Sequence, residues 1–209
     1  MNNQHSFLYA ALFLFFTALS GATLLMGTNT LLKERIQTNI LNEKYRSLFA
    51  LARVDLKGKS AAALARLYAT SFTVLHKGTP KEHLVYRRGT PQAVHIYPMR
   101  GLGFWGPIHA YIAFDAGFKQ IQGVVVVRQE ETPGLGAEIT KRYFLDRFVG
   151  KPLEQKGVLL RLVRSGEKRS PMEIDGITGA TETTMRMNTM LQRTLKRALA
   201  QRERGRHAD

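Results

Sequence analysis

Residues 7–27 contain no charged side chain. About twenty apolar residues are what a helix needs to cross the hydrocarbon core of a bilayer, and a helix satisfies its backbone polar groups internally, as a lipid environment demands. The rival reading is a cleaved leader. Leaders carry a shorter apolar region behind a basic one, whereas residues 1–5 include neither Lys nor Arg. A retained anchor over residues 1–30 is therefore the expectation. Lys33, Arg35, Lys44 and Arg46 follow the span, while only the amino terminus and His5 precede it. By the positive-inside rule, that asymmetry alone would leave the rest of the chain in the cytoplasm.

With 209 residues, one ordinary domain behind the anchor is the natural partition. Cysteine is absent, which excludes thiolate-bound clusters, disulfides and cysteine nucleophiles. His5, His76, His83, His95, His109 and His207 show no close pair at metal-ligand spacing, so no metal site is expected. The formal charge of +15 is compatible with nucleic acid, anionic lipid or an acidic partner. Much of it falls in the last segment, where Arg193, Lys196, Arg197, Arg202, Arg204 and Arg206 outnumber Glu203. No aromatic residues interleave there to stack on bases, so nucleic acid is not the expected partner.

Beyond the anchor, residues 31–54 lack Gly and Pro and read as a helical stalk, broken at Lys57-Gly58-Lys59. Ser60 is placed to cap a short connecting helix through Tyr68. Strand texture begins at Phe72. Leu84-Val85-Tyr86-Arg87 and Ala93-Val94-His95-Ile96-Tyr97 form a hairpin pattern around Gly89-Thr90-Pro91. Residues 110–114 and 121–128 add two strands, joined by a turn at Asp115-Ala116-Gly117. The run Gly123-Val124-Val125-Val126-Val127, apolar on both faces, predicts a central strand. A short helix over 144–149 and a strand over 158–163 follow. Met187, Met190, Leu191, Thr194, Leu195 and Ala198 then recur at helical spacing. The fold class is α+β, a mostly antiparallel sheet with flanking helices behind one transmembrane helix. Residues 31–71 form the stalk and connector, and 72–209 the domain.

Three segments carry chemistry. Asp175-Gly176-Ile177-Thr178-Gly179-Ala180-Thr181 runs directly into the last helix. A helix start offers unpaired N–H groups and a partial positive charge, suited to phosphate, and Gly179 and Ala180 allow close backbone approach. An ordinary capped helix start fits the same composition. Gly101-Leu102-Gly103-Phe104-Trp105-Gly106 spells G-x-G-x-x-G, but Pro107 and strand-like residues follow where a dinucleotide fold needs a helix. Trp105 is the sole tryptophan, read either as core packing or as a ring partner for a ligand. In Glu131-Thr132-Pro133-Gly134-Leu135-Gly136, Pro133 and Gly134 impose a tight turn and Gly136 permits close approach. Glu131 and Thr132 supply side-chain hydrogen-bonding groups there, or Glu131 is simply a solvated turn carboxylate.

Together these segments resemble the FMN-binding domains of the C subunit of the sodium-pumping NADH:quinone oxidoreductase and the G subunit of the Rnf complex. Asp-x-x-Thr-Gly-Ala-Thr resembles the signal by which a flavin transferase joins FMN, through its phosphate, to the final threonine, here Thr181. On that resemblance Asp175 is read by the transferase, while Thr178, Gly179 and Ala180 shape the phosphate site. Gly103 and Trp105 lie in the family's glycine-rich loop, beside the flavin. Glu131, Thr132, Gly134, Leu135 and Gly136 meet the flavin's polar edge and ring face. Lys151, after Gly150, matches a family lysine positioned to neutralise the phosphate. Ser20-Gly21-Ala22-Thr23 repeats the core of the signal, but Thr17 stands where the acid should, inside the apolar run; transmembrane packing is the better reading. The resemblance covers residues 84–191 and not 31–79.

It implies a single-pass flavoprotein of the inner membrane that carries FMN as a threonine phosphoester. Its main domain faces outward, against the charge rule, and it relays electrons with other subunits of a membrane complex. Membrane lipid and, during maturation, the transferase are further partners. A stand-alone extracytoplasmic FMN-binding sensor or docking module is the alternative, and an anchored basic protein binding anionic polymer is a third.

Overall fold

The computed structural model describes residues 3–79, 81–87 and 93–206. The turn expected at Gly89-Thr90-Pro91, and His207, lie outside the described residues. The chain divides into two compact units, Met1–Asn42 and Glu43–Asp209.

Helix α1 spans Asn3–Leu51 without a break. Within the first unit its large apolar side chains, among them Phe7, Phe13, Leu24 and Met26, are all exposed. Among the described residues α1 is the one helix long and apolar enough to cross a membrane. The Ser20–Thr23 repeat sits mid-helix, where Thr23 Oγ1 donates to the Leu19 carbonyl at 2.8 Å and no helix start is available.

In the second unit, α2 (Ala61–Ser71) is capped by Ser60, whose hydroxyl accepts from Ala63 N at 3.3 Å. Strands β1 (Phe72–Leu75), β2 (His83–Tyr86), β3 (Val94–Leu102), β4 (Pro107–Phe114) and β5 (Ile121–Arg128) form an antiparallel sheet in sequence order. The expected hairpin is β2–β3, with Leu84 opposite Ile96 and Tyr86 opposite Val94. The expected short helix is one turn, α3 (Arg142–Leu145), continued by a 3₁₀ turn over Asp146–Phe148. Residues 158–163 are split between β7 (Val158–Leu159), paired with β6 (Glu154–Gln155), and β8 (Arg161–Val163), which runs parallel to β9 (Glu173–Asp175). The closing helix, α4, is Thr181–Arg206.

The sheet separates two cores, which explains its side-chain alternation. From β4, Ile108, Ala110, Ile112 and Phe114 join Met187, Met190, Leu191, Leu195 and Ala198 of α4 in one cluster. Tyr111 and Ala113 of the same strand join Leu48, Phe49, Leu51, Ala52 and Leu64 in the other. The end of the stalk and the connecting helix therefore supply one whole core layer. Each buried Leu, Ile, Phe or Met side chain contributes about 1.5–3 kcal/mol. One sequence expectation is corrected here: β5 lies at the edge of the sheet. It is apolar on both faces because Val124 and Val126 pack in the α4 core while Val125 and Val127 pack against the other. Part of its free edge is covered where Gly150 N donates to Ile121 O at 2.8 Å and Ile121 N to Lys151 O at 2.9 Å.

Candidate functional site

The G-x-G-x-x-G segment is the tip of the β3–β4 hairpin, closed by Gly103 N donating to Gly106 O at 2.7 Å. A strand follows, not a helix, so the dinucleotide reading fails on geometry. The tip projects its aromatics outward: Phe104 is 51% exposed and Trp105 69%, their rings edge to face. Core packing of Trp105 is thereby excluded. The residue presents an apolar face to solvent.

Glu131 holds that tip in place. It is only 5% exposed, so the solvated-carboxylate reading is also corrected. Its Oε1 accepts from Trp105 N at 3.1 Å, and its Oε2 accepts from the Thr183 hydroxyl in the first turn of α4. Its own N–H donates to Gln129 Oε1 at 2.6 Å. One buried carboxylate thus joins hairpin, loop and helix, and it stands near the positive end of the helix dipole, where a negative charge is favoured. Gly103 packs directly on this carboxylate. Gly136 does too: a Cβ there would come within 2.6 Å of Thr183 Oγ1 and 2.7 Å of Glu131 Oε2, so only glycine lets loop and helix meet. The turn between them is drawn tight by Leu135 N and Ala137 N, which both donate to Thr132 O at 3.1 Å, with Gly134 at φ +74° and Leu135 half exposed.

The helix start is uncapped. The chain turns through Gly179, at φ +77°, and Thr184 N donates to Ala180 O at 3.0 Å as the first helical bond. Ala180 therefore occupies the capping position, with no side-chain oxygen to offer. Among the described residues, the N–H groups of Thr181, Glu182 and Thr183 have no acceptor. Thr181 itself is exposed.

These parts surround one open cleft of about 430 Å³, lined by Trp105, Glu131, Thr132, Leu135, Gly136 and Thr181 together with Phe104, Gly179, Ala180, Glu182 and Thr183. One side is aromatic and aliphatic, the other rich in free N–H groups. A planar apolar ring bearing a phosphate fits both.

Not every expected residue reaches this cleft. Thr178 turns away, its hydroxyl 2.8 Å from Ser165 Oγ. Asp175 ends β9; its Oδ1 accepts from Gly166 N at 2.8 Å, and its carbonyl accepts from Arg147 Nη1 at 2.8 Å. Lys151 shares a separate cleft of about 320 Å³ with Asp175, Arg147 and Lys168, and its ammonium donates to Pro171 O at 3.2 Å. The structure therefore groups Asp175 with Lys151 and does not bring either beside Thr181. Sequence reasoning missed Thr183 as the partner of Glu131, and Phe104 as the second exposed aromatic. The only signal for Thr183 was a hydroxyl in the first turn of the helix.

Comparison with known proteins agrees with this geometry. Residues 103–196 match the family model of the FMN-binding domain. The chain is 34% identical over 92 residues to the C subunit of the Na(+)-translocating NADH-quinone reductase of Vibrio alginolyticus, covering 43% of this chain and 36% of that protein. The corresponding protein of Chlamydia pneumoniae is 37% identical over 112 residues, covering 45% and 35%. The matched stretch is thus about a third of those relatives' length. Among solved structures, the C subunit of the Parabacteroides distasonis reductase superposes with a TM-score of 0.65 at 24% identity, covering 80% of this chain and 95% of that one. Shewanella oneidensis NqrC gives 0.59 at 23%, covering 77% and 96%. These two likenesses establish the fold.

Proposed function

We propose, from the premise that residues 103–196 are a domain of the FMN-binding family, that this chain is a membrane-anchored flavoprotein electron-transfer subunit. FMN is attached through its phosphate to the Thr181 hydroxyl. The observation that carries this reading is the exposed Thr181 at an uncapped helix start, in the same cleft as the exposed Trp105 and the Glu131–Gly136 loop.

Each residue has a physical task. The N–H groups of Thr181, Glu182 and Thr183 hold phosphate oxygens, aided by the helix dipole. Trp105 and Leu135 bracket the ring. Thr132 offers a hydroxyl and backbone groups to its polar edge. Glu131 acts through others, fixing Trp105 and Thr183. Flavin supplies reversible electron transfer, while the protein supplies position and environment. An open cleft suits a carrier that must meet redox partners.

The anchor is α1, the partners are the other subunits of a membrane redox complex and surrounding lipid, and a flavin transferase installs the cofactor. The domain lies on the extracytoplasmic side. This reading rests on the family resemblance over the weak charge asymmetry of a single span. A second reading, a stand-alone FMN-binding module, draws on the short share of the relatives that is matched; copurification of the full chain with redox-active membrane subunits separates the two.

Flavin fluorescence retained on the protein band in denaturing gels tests the linkage. Thr181→Ala abolishes it. Because Thr181 is the first helical residue and not the cap, the substitution changes stability by less than about 0.5 kcal/mol. Persistence of the fluorescent band in that variant would overturn the assignment.

A further inference from the structure

A second cavity, of about 630 Å³, opens between the segment after β1, strand β3 and the middle of α4. Its size is that of a small-molecule site, within the usual range of roughly 300–1,000 Å³. Four cations line it, Arg100, Arg193, Lys196 and Arg197, against one carboxylate, Glu82. Glu82 is already engaged, its Oε2 accepting from Gly78 N at 2.9 Å. Among the described residues, Arg100, Arg193 and Lys196 have no carboxylate within salt-bridge distance. Elsewhere in the domain arginines do find acids, as Arg161 finds Glu173 and Arg202 finds Glu154.

The crowding is built in. Arg197 is held rigidly, donating to Pro98 O at 2.8 Å and Thr194 Oγ1 at 3.2 Å. Burial pushes its guanidinium below the ordinary arginine value; Tyr97 opposes this, and Arg193 and Arg100 add to it. Like charges held together in a concave site raise the local potential and attract multiply charged anions. Guanidinium groups match phosphate oxygens in paired hydrogen bonds. Beside the cations, Met190 and Pro98 give the cavity an apolar wall, which free phosphate would leave unused and an organic group would cover.

We propose that this cavity binds an organic phosphate, with the phosphate on Arg100, Arg193, Lys196 and Arg197 and the organic part against Met190 and Pro98. The site is distinct from the Trp105–Thr181 cleft, with which it shares no lining residue. Phosphate of this kind comes from a soluble nucleotide-sized molecule or from a phospholipid headgroup.

The full chain in detergent micelles is titrated by calorimetry with ADP and with inorganic phosphate. Its binding of short-chain phosphatidic acid and of short-chain phosphatidylcholine is measured in the same micelles in parallel. ADP binding in micelles, tighter than inorganic phosphate, identifies a soluble ligand; selective binding of the short-chain phosphatidic acid identifies the headgroup. In either arm Arg193→Gln with Lys196→Gln weakens binding about tenfold or more, while Arg164→Gln with Lys168→Gln, which removes the same charge elsewhere, leaves it unchanged. Near-UV circular dichroism checks that each pair is folded, and Arg100→Gln provides a second cavity variant. The proposal is overturned if no probe binds the unsubstituted chain at millimolar concentration, or if both pairs lose affinity equally. No readout uses flavin, so the result is independent of the cofactor assignment.

Discussion

Replacing Glu131 with alanine removes the carboxylate that ties the aromatic hairpin tip to the start of α4. Thr183 is 3% exposed, and loss of Oε2 deprives its hydroxyl of a charged acceptor; a hydrogen bond to a charged group is worth about 1.5–3 kcal/mol. The Trp105 N–H sits at an exposed tip and regains water, so its share is smaller, about 0.5 kcal/mol. Loss of a negative charge beside a helix N-terminus adds about 0.3–1 kcal/mol. The total is about 3 kcal/mol, which for a domain of this size lowers the unfolding midpoint by about 6–12 °C. Glu131→Gln keeps the shape and one acceptor, lets its amide donate to Thr183 Oγ1, and costs about 1 kcal/mol through the lost charge. Thermal unfolding followed by circular dichroism measures both. Because Trp105 is the only tryptophan, its emission reports separately on the tip, and it shifts in the alanine variant. An alanine variant within about 0.5 kcal/mol of the parent, with unaltered emission, would refute the bracing role.

Trp105→Ala changes stability by less than about 0.5 kcal/mol, since the ring is exposed, yet alters the flavin absorption spectrum and potential while covalent flavin is retained; an unchanged spectrum sinks the ring contact. Asp175→Ala lowers the flavinylated fraction, measured by mass spectrometry of the intact chain. Because its carboxylate accepts from Gly166 N, Asp175→Asn separates the causes: full recovery in Asn would mean that turn shape alone matters, and failure to recover supports recognition of charge. Stability falls on acidification. Burial, then the His83 and Arg87 charges, push His95 from 6.5 to about 4, against a partial pull from Asp115, and burial also lowers His83. Between about pH 6.5 and 4 the unfolded chain binds the proton and the folded one does not, so stability is full above that window and is lost as pH drops through it. His95 alone accounts for up to about 3 kcal/mol. His95→Gln flattens the unfolding midpoint against pH across that window; an unflattened slope would exclude His95 as the cause.

Local pattern was enough to read the long apolar N-terminal helix, the Ser60-capped helix, the β2–β3 hairpin and the buried face of α4. Each depends on neighbours within a few positions, where periodicity and capping act directly. The three motifs of the cleft were also legible, because tight turns and a helix start require particular residues. Their assembly was not. Glu131 and Thr183 are 52 residues apart, and nothing in either segment says that one carboxylate will span hairpin and helix. Exposure of Trp105 likewise depended on which way the hairpin tip faces, a matter of packing rather than composition. The valine run Val124-Val125-Val126-Val127 looked central because it is apolar on both faces, but what makes it so is a core on each side of the sheet, one of them supplied by the end of the stalk. Lys151 matched a motif by position, yet the fold carries it to the Asp175 cleft. The basic cavity draws Arg100 from a strand and Arg193, Lys196 and Arg197 from a helix. In the sequence Arg193, Lys196 and Arg197 are part of the basic run of the last segment, and Arg100 stands far from them; only when β3 packs on α4 do they converge, because charge density depends on distance in space and not on distance along the chain.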